Sequence, residues 1–333
     1  MEGPKEHEAS KEYRDLDLLD TPLRLRDLNP KRFFLDTFRA LDTSAAQERL
    51  AAGQTSRPDH DGTQPDGVDL EPTYVYVFAI LLLILMEYVG MPRGLRTAVR
   101  IIDSWLGDSL HWQSLSWHLG YSNTLPGRGP YAELLLHSWW VFWRIVGFAC
   151  LPAIFLRVRG KSIGSCYLSL KGTWNHFWIY GLFFSVVAIF VFIASDTPSF
   201  QAYYPFYRLA YRSWFDLLCW ELLYALQFFS LEFFFRGFLL SSSQKSLGSH
   251  AIIVMTIPYV MIHFGKPWIE TVGAIAAGIT LGTLAMRTRS IWGGVFIHVS
   301  IALCMDLASL LQQQGLPQSL WPTAPPDYGW LMP

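Results

Sequence analysis

Long apolar runs organise the chain from Tyr74 onward, and none precedes it. A helix needs roughly 20 predominantly apolar residues to cross a hydrocarbon layer about 30 Å thick. Seven runs approach that length: 73–91 (TYVYVFAILLLILMEYVGM), 134–156, 174–195, 215–240, 250–263, 268–286 and 291–312. Run 250–263 is short and needs protein neighbours to bury its ends. The segment 98–120 (AVRIIDSWLGDSLHWQSLSWHLG) alternates apolar and charged faces and predicts a helix lying in the interface. The fold class expected is all-α: a polytopic membrane bundle of about seven transmembrane helices plus one interfacial amphipathic helix.

The flanks read differently. Residues 1–71 are hydrophilic, with mixed-sign charge runs such as KEHEASKEYRDLDLLD, and predict a largely disordered tail. Within it PKRFFLDTFRALDTSAAQERLAAG places Phe33, Phe34, Phe38 and Leu41 at helical spacing, which predicts one amphipathic helix lying on the membrane or on the main domain. The membrane domain is expected over 72–312, and residues 313–333, rich in proline, as an extended tail. The connection SDTPSFQAYYPFYRLAYRSW suits the headgroup level, where Tyr and Trp anchor membrane proteins.

Composition agrees with a bilayer as solvent: 51% of the 333 residues are hydrophobic, with 14 Trp and 23 Phe. A formal net charge of −1 gives no reason to expect nucleic acid as a partner. Cys150, Cys166, Cys219 and Cys304 are widely spaced and read as reduced packing residues. With seven crossings the N-terminus shares a side with Arg157, Arg159, Lys161, Lys245, Arg287 and Arg289, which the positive-inside rule makes cytoplasmic; Arg93, Arg96 and Arg100 argue the other way.

Several ionisable groups fall at membrane depth, where each costs at least ~2.5–3.5 kcal/mol on insertion scales. Glu232 and Arg236, four apart in SLEFFFRG, share a helical face and can pair. Glu221 lies eleven residues earlier, ~20° off that face and ~16 Å along the axis. His263 closes PYVMIHFG, four residues after Tyr259, and His298 lies in mid-run with Asp306 eight residues on. Each has a structural reading, as a neutralising ion pair or a hydrogen-bonded core histidine. Together Glu232, His263 and His298 could hold a water, take its proton and donate to the oxyanion of an attacked amide.

The ordered elements EFFFRG (232–237), YVMIH (259–263), GAIAAGITLG (273–282) and RTRSIW…H (287–298) resemble the CPBP intramembrane proteases, the family of the type II CAAX prenyl endopeptidases, over about 215–310. The resemblance implies a glutamate peptidase without metal, with Glu232, Arg236, His263 and His298 as the catalytic set and Glu221, Tyr259 and Asp306 as auxiliary candidates. Two His and a Glu can in principle form a zinc site, but no HExxH occurs. The sequence departs from the family at Leu231, where a first glutamate is usual, and at Ala302, where Asn or Asp is usual.

Three functional readings follow. One is an endopeptidase acting on a membrane protein or lipidated peptide, prenylated or C-terminally anchored, in the cell (inner or plasma) membrane. The second is an inactive CPBP fold that binds or escorts such peptides, and the third a proton-coupled transporter. Gly273, Ala277 or Gly278, and Gly282 form a small-residue stripe that predicts close helix packing.

Overall fold

The computed structural model describes residues 18–51, 70–106 and 131–322. Ten helices are labelled here: α1 Thr37–Ala51, α2 Glu71–Gly90, α3 Pro92–Leu106, α4 Ala132–Val158, α5 Leu170–Asn175, α6 Phe177–Ala194, α7 Trp214–Leu247, α8 His250–Met261, α9 Trp268–Thr288 and α10 Trp292–Gln313. Six of them, α2, α4, α6, α7, α9 and α10, are long and apolar enough to cross a membrane. The protein is an integral membrane protein built as a polytopic all-α bundle. The expected run 250–263 forms α8, with only 12 residues, about 18 Å at 1.5 Å per residue and too short to span alone. α7, at 34 residues, extends to about 51 Å and outruns the hydrocarbon layer.

α3 begins at Pro92, earlier than the sequence pattern suggested, and exposes Ile101, Trp105 and Leu106 as an interfacial helix does. The rest of that expected helix, 107–120, lies outside the described residues.

The described chain divides into two compact units. Unit 1 comprises residues up to Ile80, Phe155–Tyr180 and Glu232–Val295. Its α8 and α9 pack closely: a Cβ at Gly278 would meet Thr256, and one at Gly282 would come 3.1 Å from both Ile252 and Met255. Gly273 has nothing within 4 Å, so the predicted stripe works through two of its positions.

In the N-terminal segment the amphipathic helix expected around Phe33 and Leu41 lies on the rest of unit 1. Residues 31–51 run from a π-helical turn, Lys31–Asp36, into α1, and bury Phe33, Thr37, Ala40, Leu41 and Ala45 against unit 1. Arg287 donates to Thr37 Oγ1 (3.0 Å) and to the Leu18 carbonyl (3.1 Å). Asp42 accepts from the backbone N–H (2.7 Å) and hydroxyl (3.1 Å) of Ser249, at a turn where Gly248 has φ +55° and no room for a Cβ beside Asp42. Asp42→Ala leaves two donors there without their acceptor. The expected cost is about 1–3 kcal/mol, seen as a lower unfolding midpoint and faster proteolysis within 31–51. Residues 1–17 and 52–69 lie outside the described residues.

Unit 2 comprises Leu81–Ile154, Gly181–Leu231 and Phe296 onward. Its centre is aromatic: the Phe206 ring stacks on Trp220 (5.7 Å) and Tyr224 (6.0 Å). The connection 196–213 is part of this core. Phe200, Tyr204, Tyr207, Leu209 and Ala210 are buried, and Tyr207 donates to Asp216 (2.9 Å), which also accepts from Arg212 (2.8 Å) and Ser213 (2.7 Å). The loop that joins the end of α6 to the start of α7 is therefore packed into the core of unit 2. The start of the expected C-terminal tail is also tied down. Carbonyls of Ser319 and Leu320 accept from the N–H groups of Trp214 and Phe215, both at 3.0 Å, satisfying donors that the first turn of α7 leaves orphaned. Residues 323–333 lie outside the described residues.

Candidate active site

Along α7 the hydrogen-bond register changes directly after Glu232. Trp214–Glu232 is α-helical, whereas Phe233–Leu240 is π-helical and wholly buried. The i→i+5 turn takes in an extra residue and re-aims side chains, and such turns are frequent at functional sites. Glu232 and Arg236 keep their pairing across this change: Arg236 Nη1 donates to Glu232 Oε1 at 2.9 Å, with both residues 0% exposed.

The pair is enclosed by unit 1. The Arg236 guanidinium lies 4.2 Å from the centroid of the Tyr259 ring, a desolvated cation–π contact. Tyr259 presents its edge to Phe235 at 5.4 Å and meets the His263 ring at 4.8 Å. His263 Nδ1 is 2.8 Å from the Tyr259 carbonyl, which can only accept, so Nδ1 carries the hydrogen and Nε2 the lone pair of the neutral ring. Thr271 Oγ1 donates to the His263 carbonyl (2.9 Å) and fixes the backbone that presents the ring.

On the other side of Glu232 stands a feature that the sequence analysis passed over. Gly293 and Gly294 open α10, and a Cβ on either would collide, with the Tyr180 ring and the Glu232 carboxylate respectively. Adjacent glycines at the start of an apolar run were the available signal, since small residues let membrane helices and side chains approach closely.

Glu232, Arg236, Tyr259 and His263 thus come together in unit 1. Glu221, His298 and Asp306 belong to unit 2. The His298 ring stacks on Phe228, 5.4 Å apart and 8° from parallel. Asp306 is buried and accepts from Trp220 Nε1 (2.7 Å) and the Phe206 N–H (3.2 Å), which gives it a structural task in the aromatic core. Glu221 is half-buried on α7. Among the described residues no group of three or more His, Cys, Asp and Glu side chains is gathered to hold a metal ion.

Residues 212–304 match the family model described as Type II CAAX prenyl endopeptidase Rce1-like. Neither curated proteins nor solved structures gave a match. The matched stretch includes Glu232, Arg236, Tyr259, His263, Gly294 and His298 and ends before Asp306. Sequence match, helical architecture and clustered polar groups agree in making residues 212–304 similar to the type II CAAX prenyl endopeptidases.

Proposed function

We propose that the protein is an intramembrane endopeptidase in which Glu232 is the general base. The family match supports a CPBP-type protease in general, and one observation carries the finer assignment: the contiguous set Glu232, Arg236, Tyr259 and His263, packed around a change of helical register. In this reading Arg236 holds Oε1, while Oε2, on the Gly294 side, takes the proton of a water. The Nε2 lone pair of His263 accepts the water's second hydrogen and orients it. The hydroxide adds to the carbonyl of a peptide bond. The donor to the oxyanion is, by the family resemblance, His298, four residues after Gly294 in the sequence. Collapse of the tetrahedral intermediate breaks the C–N bond, and the proton held by Glu232 passes to the departing amine. Glu232 is fully enclosed, so the surrounding side chains part before water and peptide enter.

The substrate class is a membrane-associated protein cut near a prenylated or membrane-anchored C-terminus. Arg159, Lys161, Lys245, Arg287 and Arg289 follow or close the spans α4, α7 and α9, and with Arg287 bonded to Thr37 and Leu18 of the N-terminal segment the positive-inside rule supports a cytoplasmic N-terminus. Leu231 stands where the family usually has its first glutamate, so the base falls to Glu232.

The test uses full-length protein in vesicles with a library of membrane-anchored peptides, some prenylated. Wild type is expected to release a product that Glu232→Gln reduces by at least about 10²-fold, the lower range for a general base. The amide retains an acceptor for Arg236, and a matched thermal midpoint shows that the variant is folded. Cleavage that survives in Glu232→Gln removes the base assignment. Peptides bound but left uncut by wild type favour the binding reading instead.

A further inference from the structure

Unit 1 contains a polar concavity away from Glu232, a cleft of about 660 Å³ lined by residues where three spans end. Glu71 and Tyr74 come from the start of α2, Arg159 and Lys161 from just beyond α4, and Lys245 from the last turns of α7. Five serines, Ser162, Ser165, Ser241, Ser242 and Ser246, complete its polar lining.

Glu71 is the one carboxylate among the lining residues. Its Oε2 accepts from Arg159 Nη2 at 2.7 Å and its Oε1 from Lys161 Nζ. The Arg159 guanidinium also lies 4.8 Å from the Tyr74 ring centroid. Two cations are therefore held in place, and three against one carboxylate leave two net positive charges facing the cleft. Fixed cations and hydroxyl donors around a concavity of this size match a phosphate, whose several oxygens accept at once.

Free phosphate would have no use for what borders the cleft. Leu70, Tyr74 and Val77 on the α2 side and Val158 on the α4 side are all exposed, Val158 by 81%. Exposed apolar side chains on spanning helices face acyl chains, and the ends of spans lie at headgroup depth. Basic pockets between helices on the cytoplasmic side suit anionic headgroups.

We propose that this cleft binds the phosphate of an anionic phospholipid, with the acyl chains laid against Tyr74, Val77 and Val158. Lys245 contributes the cation that Glu71 does not neutralise, and Arg159 and Lys161 form the preorganised wall.

Native mass spectrometry of the full-length protein tests this, with phosphatidylglycerol, phosphatidylcholine and inorganic phosphate offered separately and in competition. Phosphatidylglycerol should be retained several-fold over phosphatidylcholine. Lys245→Gln should lower that retention about fivefold, the ratio corresponding to ~1 kcal/mol per basic residue near an anionic surface. Lys245→Arg should restore it, and Lys171→Gln, an exposed cation outside the cleft, should leave it unchanged. If Lys245→Gln fails to fold, Ser242→Glu, which adds a like charge to the ligand, must reduce retention in its place. Equal retention of the two lipids, or indifference to both cleft variants, overturns the proposal. Displacement of bound lipid by millimolar inorganic phosphate assigns the site to free phosphate and overturns the lipid source. The readout is bound lipid, so the result is separate from peptidase activity.

Discussion

Arg236→Met is expected to cost about 3–5 kcal/mol of stability, a large share of the roughly 5–15 kcal/mol that holds a typical native state. Methionine replaces much of the side-chain volume, so the loss is electrostatic. It leaves the Glu232 carboxylate at 0% exposure without the guanidinium that pairs with it at 2.9 Å. The Tyr259 face also loses its cation, 4.2 Å away. Unfolding titrations should show a much smaller loss in the double variant Glu232→Leu/Arg236→Met, in which neither charge remains to be buried. If the single variant is as stable as wild type, the ion pair does not hold this part of unit 1 together.

The second large effect is expected from one methyl group. Gly294→Ala places a Cβ on the Glu232 carboxylate, 2.7 Å from Cδ, well inside van der Waals contact. Glu232 is buried between Arg236 and α10, so the carboxylate can yield only by leaving Arg236. Displacing a catalytic group by about 1 Å can cost 10²-fold in rate, and overpacking costs about 1–3 kcal/mol. Peptide cleavage should fall by about that factor. Gly273→Ala, on α9 where nothing lies within 4 Å, should leave the rate unchanged and raise stability by about 0.5–1 kcal/mol. Full activity in Gly294→Ala would mean that Glu232 does not need its present position.

Much of this was legible because hydrophobicity is the signal that a bilayer enforces. The spans α2, α4, α6, α9 and α10 lie within a few residues of the runs that announced them. α7 was underread because its last two turns, SSSQKSL, are helical but polar and carry no apolar signal. The pairing of Glu232 with Arg236 followed from spacing alone, since an i, i+4 pair survives even across the register change. That change was not legible: FFFRGFLL is buried on every side, so no face marks its period. α1 was partly visible through Phe33 and Leu41, but its charged surroundings masked a docking made by a few hydrogen bonds and small buried residues. The core packing of 196–213 was not legible for a plain reason. Tyr-rich segments suit a membrane interface and a packed core equally well, and composition does not say which polar partner, here Asp216, takes the hydroxyl.

The π-helical stretch Phe233–Leu240 absorbs a residue that an ordinary helix would express as a turn of everything beyond it. Deleting one residue within it lets the backbone relax to an α-helix while the turns that follow keep roughly their heading. Gln244 would stay beside the Tyr167 hydroxyl that donates to it, and Lys245 beside Arg159 and Lys161. An in-frame loss of one codon there would strike the setting of Glu232 and Arg236 and spare the far end of α7.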